Sequence, residues 1–217
     1  MMLHYDPSAA VSALCRADKY MARIVRLAGP LTLTPEPMQS VFQALARAIV
    51  YQQLSGKAAG TIYRRVLETV GGKRKFGPRR ILDLPEEELR GAGLSRAKVA
   101  ALRDLAHKTV DRTVPTLAKL EQMDDEEIVD SLVQVRGIGR WTAEMLLIFR
   151  LGRPDVLPLS DLGVRKGFML LYQQETLPGP EEITLKAETW RPYRSVASWY
   201  LWRAVEHLGR PPFATDA

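Results

Sequence analysis

Apolar residues recur at three- and four-residue spacing along most of this chain, which is the signature of amphipathic helices. Glu36 to Gln52 carries Val41, Leu45, Ala48 and Ile49 at that spacing after a proline-rich start. Lys57 to Val70 follows across a Leu-Ser-Gly turn and is stopped by Gly71-Gly72. Pro85 to Arg90 reads as a short helix, and Ser95 to Arg112 opens on a cap serine and repeats Val99, Leu102, Leu105 and Ala106. Asp124 with Glu127 has capping-box spacing for a helix running to about Val135. Further helices are predicted over Arg140 to Arg150, over Ser160 to Tyr172, and in a terminal group ending near His207. No alternating run bounded by turn residues predicts a strand. The pattern predicts an all-α fold of two helical lobes without a long linker. The expected division is one lobe over about 36–150 and another over about 1–35 plus 151–217.

Composition adds boundaries. The chain has 217 residues, 46% hydrophobic and 26% charged, enough to bury a core and too apolar for a disordered tail. Its longest apolar runs, such as Met145 to Phe149, are too short to span a bilayer, and the start MMLHYDPSAAV has no secretory pattern. Cys15 is alone, so no disulfide framework, cysteine zinc site or iron–sulfur cluster is expected. His4, His107 and His207 lie far apart. An intracellular, cytoplasmic monomer is expected, associated with the nucleoid if the source is bacterial.

Charge is unevenly placed. The formal net charge is +6, and from Arg64 to Arg80 seven basic residues face one acid, Glu68. A second basic zone is Arg136, Arg140, Arg150, Arg153, Arg165 and Lys166. Clustered cations suit a polyphosphate partner, because each neutralised phosphate releases counterions. Solvated helix surface is the alternative for any one cluster.

The most specific local signal is Leu132-Val133-Gln134-Val135-Arg136-Gly137-Ile138-Gly139-Arg140-Trp141-Thr142-Ala143, an apolar helix end, a Gly-Ile-Gly corner and a second apolar helix. Two glycines permit a tight turn and close approach of backbone to a ligand. Amides at the start of the second helix, with its dipole behind them, can hold a phosphate without reading a base. The pattern resembles a helix-hairpin-helix.

Twenty-two residues beyond Gly139 stands Asp161, in Leu157-Pro158-Leu159-Ser160-Asp161-Leu162-Gly163. With this segment the chain resembles the helix-hairpin-helix DNA glycosylases, most closely the alkylated-base branch (DNA-3-methyladenine glycosylase II, AlkA-type). The likeness runs from about Gln39 to Leu208 and rests also on Val50-Tyr51-Gln52-Gln53-Leu54-Ser55-Gly56-Lys57 and Trp190-Arg191-Pro192-Tyr193-Arg194-Ser195.

The resemblance implies a DNA-binding cleft between the lobes and Asp161 as the catalytic carboxylate. Such an anion stabilises an oxocarbenium-like sugar and orients water; as an alternative, Asp161 or Ser160 merely caps a helix. It implies Leu54, with Gln53, as a wedge in the duplex, against a turn leucine packed inward. It implies base-pocket roles for Trp141, Trp202, Met145 and Leu162, the last two where some relatives carry aromatics. Trp141 and Trp202 read alternatively as helix core. Gly137, Gly139, Arg140 and Thr142 are expected at phosphate. Backbone carbonyls of Val133, Val135 and Ile138 are expected to hold a monovalent cation, Na+ or K+, with no other cofactor.

Bifunctional relatives place a lysine two residues after the second hairpin glycine, where this chain has Trp141; Lys166 lies elsewhere. Tryptophan is no Schiff-base nucleophile, so a monofunctional N-glycosyl hydrolase acting on N3- and N7-methylated purines in duplex DNA is expected. The rivals are a non-catalytic helix-hairpin-helix DNA-binding protein and a glycosylase of the same superfamily for uracil or oxidised bases.

Overall fold

The computed structural model describes residues 3–209. Among the described residues all regular structure is helical, with no strand. The chain separates into two compact units, one formed by 1–36 and 144–217 and the other by 37–143. The division falls inside one helix, α10, at residues 143 and 144.

The second unit contains α3 (Val41–Tyr51), α4 (Gly56–Thr69), α5 (Pro78–Asp83), α6 (Glu86–Gly91), α7 (Arg96–Val110), α8 (Leu117–Leu120), α9 (Asp125–Leu132) and the start of α10 (Arg140–Leu146). Helix α7 is its central element, packed on by α3, α5 and α6. It buries Val99, Leu102, Leu105 and Ala106, the residues its periodicity marks. Most helices begin on a side-chain cap: Ser40, Ser55, Ser95, Thr116 and Asp124, the last in a full capping box with Glu127.

Three sequence boundaries move. Helix α3 starts at Val41 rather than Glu36, because Pro35 and Pro37 hold the residues before them extended and the Ser40 hydroxyl then accepts the Gln43 N–H at 3.3 Å. Helix α9 ends at Leu132, where the Gly-Ile-Gly corner pulls Val133 to Val135 into the turn. The helix predicted over 140–150 is α-helical only to Leu146, and Leu147–Leu151 widen into a π-helical turn closed by Gly152 at φ 66°. The basic stretch 64–80 divides into the end of α4, a 3-10 turn at Lys73–Lys75 and the start of α5. Its turn is pinned from inside by buried Phe76 against Phe42 and by the Gln43 amide donating to the carbonyls of Lys73 and Phe76.

The first unit contains α1 (Pro7–Ala17), α2 (Lys19–Ala28), the end of α10, α11 (Leu162–Leu171), α12 (Pro180–Ala187) and α13 (Arg194–Leu208). Its core is α13, which buries Val196, Ala197, Trp199, Tyr200, Leu201 and Ala204 and packs on both α11 and α2. Gly167 allows the α11–α13 crossing, since a Cβ there would stand 2.0 Å from the Leu201 carbonyl oxygen.

Asp18 joins the remaining elements of this unit. Its side chain is 1% exposed and caps α2 through the Tyr20 N–H at 2.8 Å. It also accepts the Tyr172 hydroxyl and the Trp190 indole N–H, and pairs with Lys186 at 2.9 Å. Burial alone would push this carboxyl up, but those hydrogen bonds outweigh it and hold it below the ordinary 3.8. A carboxylate with a depressed folded pKa stabilises above the unfolded pKa and loses that contribution as pH falls through the folded value. The Asp18→Ala variant should therefore lose about 2–4 kcal/mol in denaturant melts at pH 7. The gap to the parent should narrow as pH falls below about 4; a gap independent of pH would refute the assignment.

Candidate functional site

In the second unit the predicted hairpin is built as a turn fastened to α7. Gly137 adopts φ +80°, a conformation side chains rarely tolerate, and lies against Ala101. Ile138 donates its N–H to the Val135 carbonyl at 2.9 Å. Both side chains are buried and root the turn in the core. The Gly139 carbonyl accepts the N–H groups of Thr142 and Ala143, so Gly139 opens α10. Asp104 of α7 accepts the Arg136 N–H at 2.7 Å and the Lys108 ammonium at 2.8 Å. Lys108 also donates to the Gln134 carbonyl. Partial burial would push the Asp104 carboxyl up; the Arg136 amide and Lys108 more than compensate and hold it low.

The turn after α3 is fastened to the same scaffold. Lys98, at the start of α7, donates to the carbonyls of Val50 at 2.6 Å and Gln52 at 2.8 Å. Burial pushes its ammonium below the usual lysine range. The Gln52 side chain donates to the Gly137 carbonyl at 2.8 Å, tying this turn to the hairpin. Gln53 is held at φ 57°, unusual for a residue with a Cβ, and Leu54 beside it is 40% exposed. An exposed leucine on an anchored, strained turn is not packed inward, which removes that alternative for Leu54.

The predicted phosphate residues are unequal. Arg140 is largely exposed and pairs with Glu126. Thr142 is buried, with its N–H committed to Gly139, so it offers little surface to a ligand. Trp141 is 45% exposed and is no core tryptophan. Of the three carbonyls proposed for a cation, that of Val135 already accepts one hydrogen bond and keeps a second lone pair.

In the first unit Asp161 is the N-cap of α11. Its Oδ1 accepts the Val164 N–H at 2.8 Å and the Trp202 indole N–H at 2.9 Å. The helix cap expected as the alternative is therefore present, and the same carboxylate oxygen also accepts an aromatic donor. The cap places the anion at the positive end of the helix dipole. Trp202 is half-buried and stacks on Phe149 with ring centroids 5.5 Å apart. Phe149 escapes sequence reasoning because the π-helical turn that carries it has no residue signature. Leu162 is 53% exposed beside Asp161, and Met145 is half-buried at the end of α10.

The segment leading to Asp161 is clamped. Arg194 grips Asp155 through Nε at 2.8 Å and Nη2 at 2.9 Å, and Arg191 joins the same carboxylate. Ser195 donates to the Arg153 carbonyl at 2.7 Å and accepts the Val156 N–H at 2.9 Å. Among the described residues no group of three or more His, Cys, Asp or Glu side chains could hold a metal ion, and no helix is long and apolar enough to cross a membrane.

A family model described as HhH-GPD superfamily base excision DNA repair protein matches residues 46–192. DNA-3-methyladenine glycosylase 1 of Schizosaccharomyces pombe is 35% identical over 192 residues, covering 86% of this chain and 82% of the relative. The solved structure of a 3-methyladenine DNA glycosylase from the same organism, in complex with abasic DNA, superposes with a TM-score of 0.79 at 33% identity, covering 94% of this chain and 99% of that one. A DNA-3-methyladenine glycosidase from Bacillus halodurans gives 0.82 at 34% identity, with coverages of 90% and 88%.

If Asp104 anchors the hairpin, Asp104→Ala should speed hydrogen exchange of the Arg136 amide about tenfold or more, as loss of a charge-assisted bond requires. The Leu102 amide, inside α7, should be unchanged. Equal protection of Arg136 in variant and parent would contradict the anchoring.

Proposed function

The chain belongs to the HhH-GPD superfamily of base excision DNA repair proteins, and from that premise we propose that it is a monofunctional DNA glycosylase hydrolysing the N-glycosidic bond of alkylated bases in duplex DNA. The observation that carries this reading is the Asp161 carboxylate, fixed at a helix N-terminus by two donors on one oxygen. Breaking a purine N-glycosidic bond builds positive charge on the sugar, and a pre-oriented anion stabilises that charge without reorganising. The same carboxylate orients the attacking water.

Purines methylated at N3 or N7 are cationic and leave readily, so no strong general acid is required. They also gain from an exposed aromatic face such as that of Trp141. An indole at position 141 supplies no amine for a Schiff base, which favours hydrolysis without strand cleavage. Leu54 fits the wedge that fills the stack when a nucleotide is extruded, and the hairpin amides fit backbone phosphate. The carbonyls of Val133, Val135 and Ile138 would hold a monovalent cation, whose charge would add to the attraction for a phosphate. The reading includes a cytoplasmic site of action, on the nucleoid if the cell is bacterial.

The test is release of methylated adenine from alkylated duplex, read as alkali-labile abasic sites. Asp161→Asn should lower release by a factor of about 1,000 or more, the scale of losing a transition-state electrostatic contact, while duplex affinity persists. Full turnover in that variant would remove the catalytic assignment. Binding without release by the parent would favour the non-catalytic reading, and release of uracil or an oxidised base in preference to methylated adenine would favour the other glycosylase class.

A further inference from the structure

Gly163 stands in the first turn of α11, two residues after Asp161. Its φ lies outside the left-handed region, so no backbone strain demands glycine there. Glycine is a poor helix former, and its presence needs another cause. A Cβ at 163 would stand 2.7 Å from Cδ1 of Trp202, 3.0 Å from its Nε1 and 3.0 Å from Oδ1 of Asp161. Those are the two atoms of the indole–carboxylate hydrogen bond and the ring carbon next to the donor. The ring cannot retreat freely, because its other contacts include the stack on Phe149. One turn further on, Gly167 faces the Leu201 backbone; there the missing side chain serves helix packing, whereas at 163 it serves the Trp202–Asp161 pair.

We propose that Gly163 and Trp202 are positioning residues for the glycosylase reaction: Gly163 keeps open the slot in which the Trp202 N–H holds the Asp161 carboxylate. The inference rests on the glycosylase reading above. A carboxyl group rotates easily about its terminal torsion. The Val164 amide and the Trp202 indole N–H reach the same oxygen from two different helices, and donors that converge in this way restrict the plane of the carboxylate. Orientation of the anion relative to the sugar is what the rate depends on, while duplex affinity depends on surfaces elsewhere in the chain.

The experiment compares the parent, Gly163→Ala, Trp202→Phe and the double variant on duplex containing a methylated purine. Single-turnover rate, duplex dissociation constant and melting temperature are measured for each. Gly163→Ala should slow release about 10- to 100-fold, the equivalent of one hydrogen bond to a charged group. Its duplex affinity should stay within about twofold and its melting temperature within a few degrees. Trp202→Phe keeps a ring against Phe149 but removes the donor, and should lose about the same factor. In the Trp202→Phe background, adding Gly163→Ala should change the rate by less than about threefold, because the bond it disturbs is already gone.

Equal losses from Gly163→Ala in both backgrounds would overturn the proposal, as would a fall in duplex affinity in step with the rate. Should Gly163→Ala fail to fold, Trp202→Phe decides alone, and an undiminished rate there refutes the proposal. A parent that releases no methylated purine would sink the glycosylase reading and this one together; an active parent beside an equally active Gly163→Ala would sink this one only.

Discussion

A carboxylate that must act as an anion needs donors that do not move, and much of the first unit can be understood as supplying them to Asp161. Helix α11 offers the Val164 N–H at a fixed angle because its first-turn amides lack partners within the helix. Helix α13 offers the Trp202 N–H because α11 and α13 approach closely at Gly167. The chain entering the cap is held by the Asp155–Arg194 pair and by Ser195, both engaged with the first residues of α13. The element that carries the indole thus also fixes the segment that carries the carboxylate, and the distance between them is set within one packed unit.

The second unit solves a different problem, presenting backbone and an exposed leucine without letting either collapse. Helix α7 does this along its length, with Lys98 holding the end of α3 and Asp104 and Lys108 holding the hairpin. Gln52 links the two turns directly. Lysine and aspartate serve here because backbone carbonyls and amides in irregular turns lack partners of their own kind, and long or charged side chains reach them from a neighbouring helix. Leu54 stays exposed on its anchored turn, and Trp141 stays exposed at the start of α10, directly after the hairpin.

These arrangements bear on how the branch chemistry is chosen. On the proposed reading, the carboxylate held at 161 suits hydrolysis of bonds whose leaving group is already activated by positive charge. Neutral lesions would require a proton donor in addition, whereas the geometry of Asp161 is that of an acceptor, taking the Val164 amide and the Trp202 indole N–H.

The sequence alone determined the helical class, the capping box at Asp124 and Glu127, the cap at Ser95, the hairpin and the candidacy of Asp161, because each is a local matter of periodicity, backbone freedom or short-range hydrogen bonding. It misplaced the start of α3, where two prolines and Ser40 compete with an apolar pattern, and it did not foresee the π-helical turn. Only the tertiary structure decided that Trp202 faces the Asp161 carboxylate, that Phe149 backs it, that Gly163 is glycine for want of space, and that Thr142 is turned inward. Those outcomes depend on which faces of distant helices meet. Contacts between residues some forty positions apart, such as 161 and 202, leave no period or spacing in the chain from which they could be read.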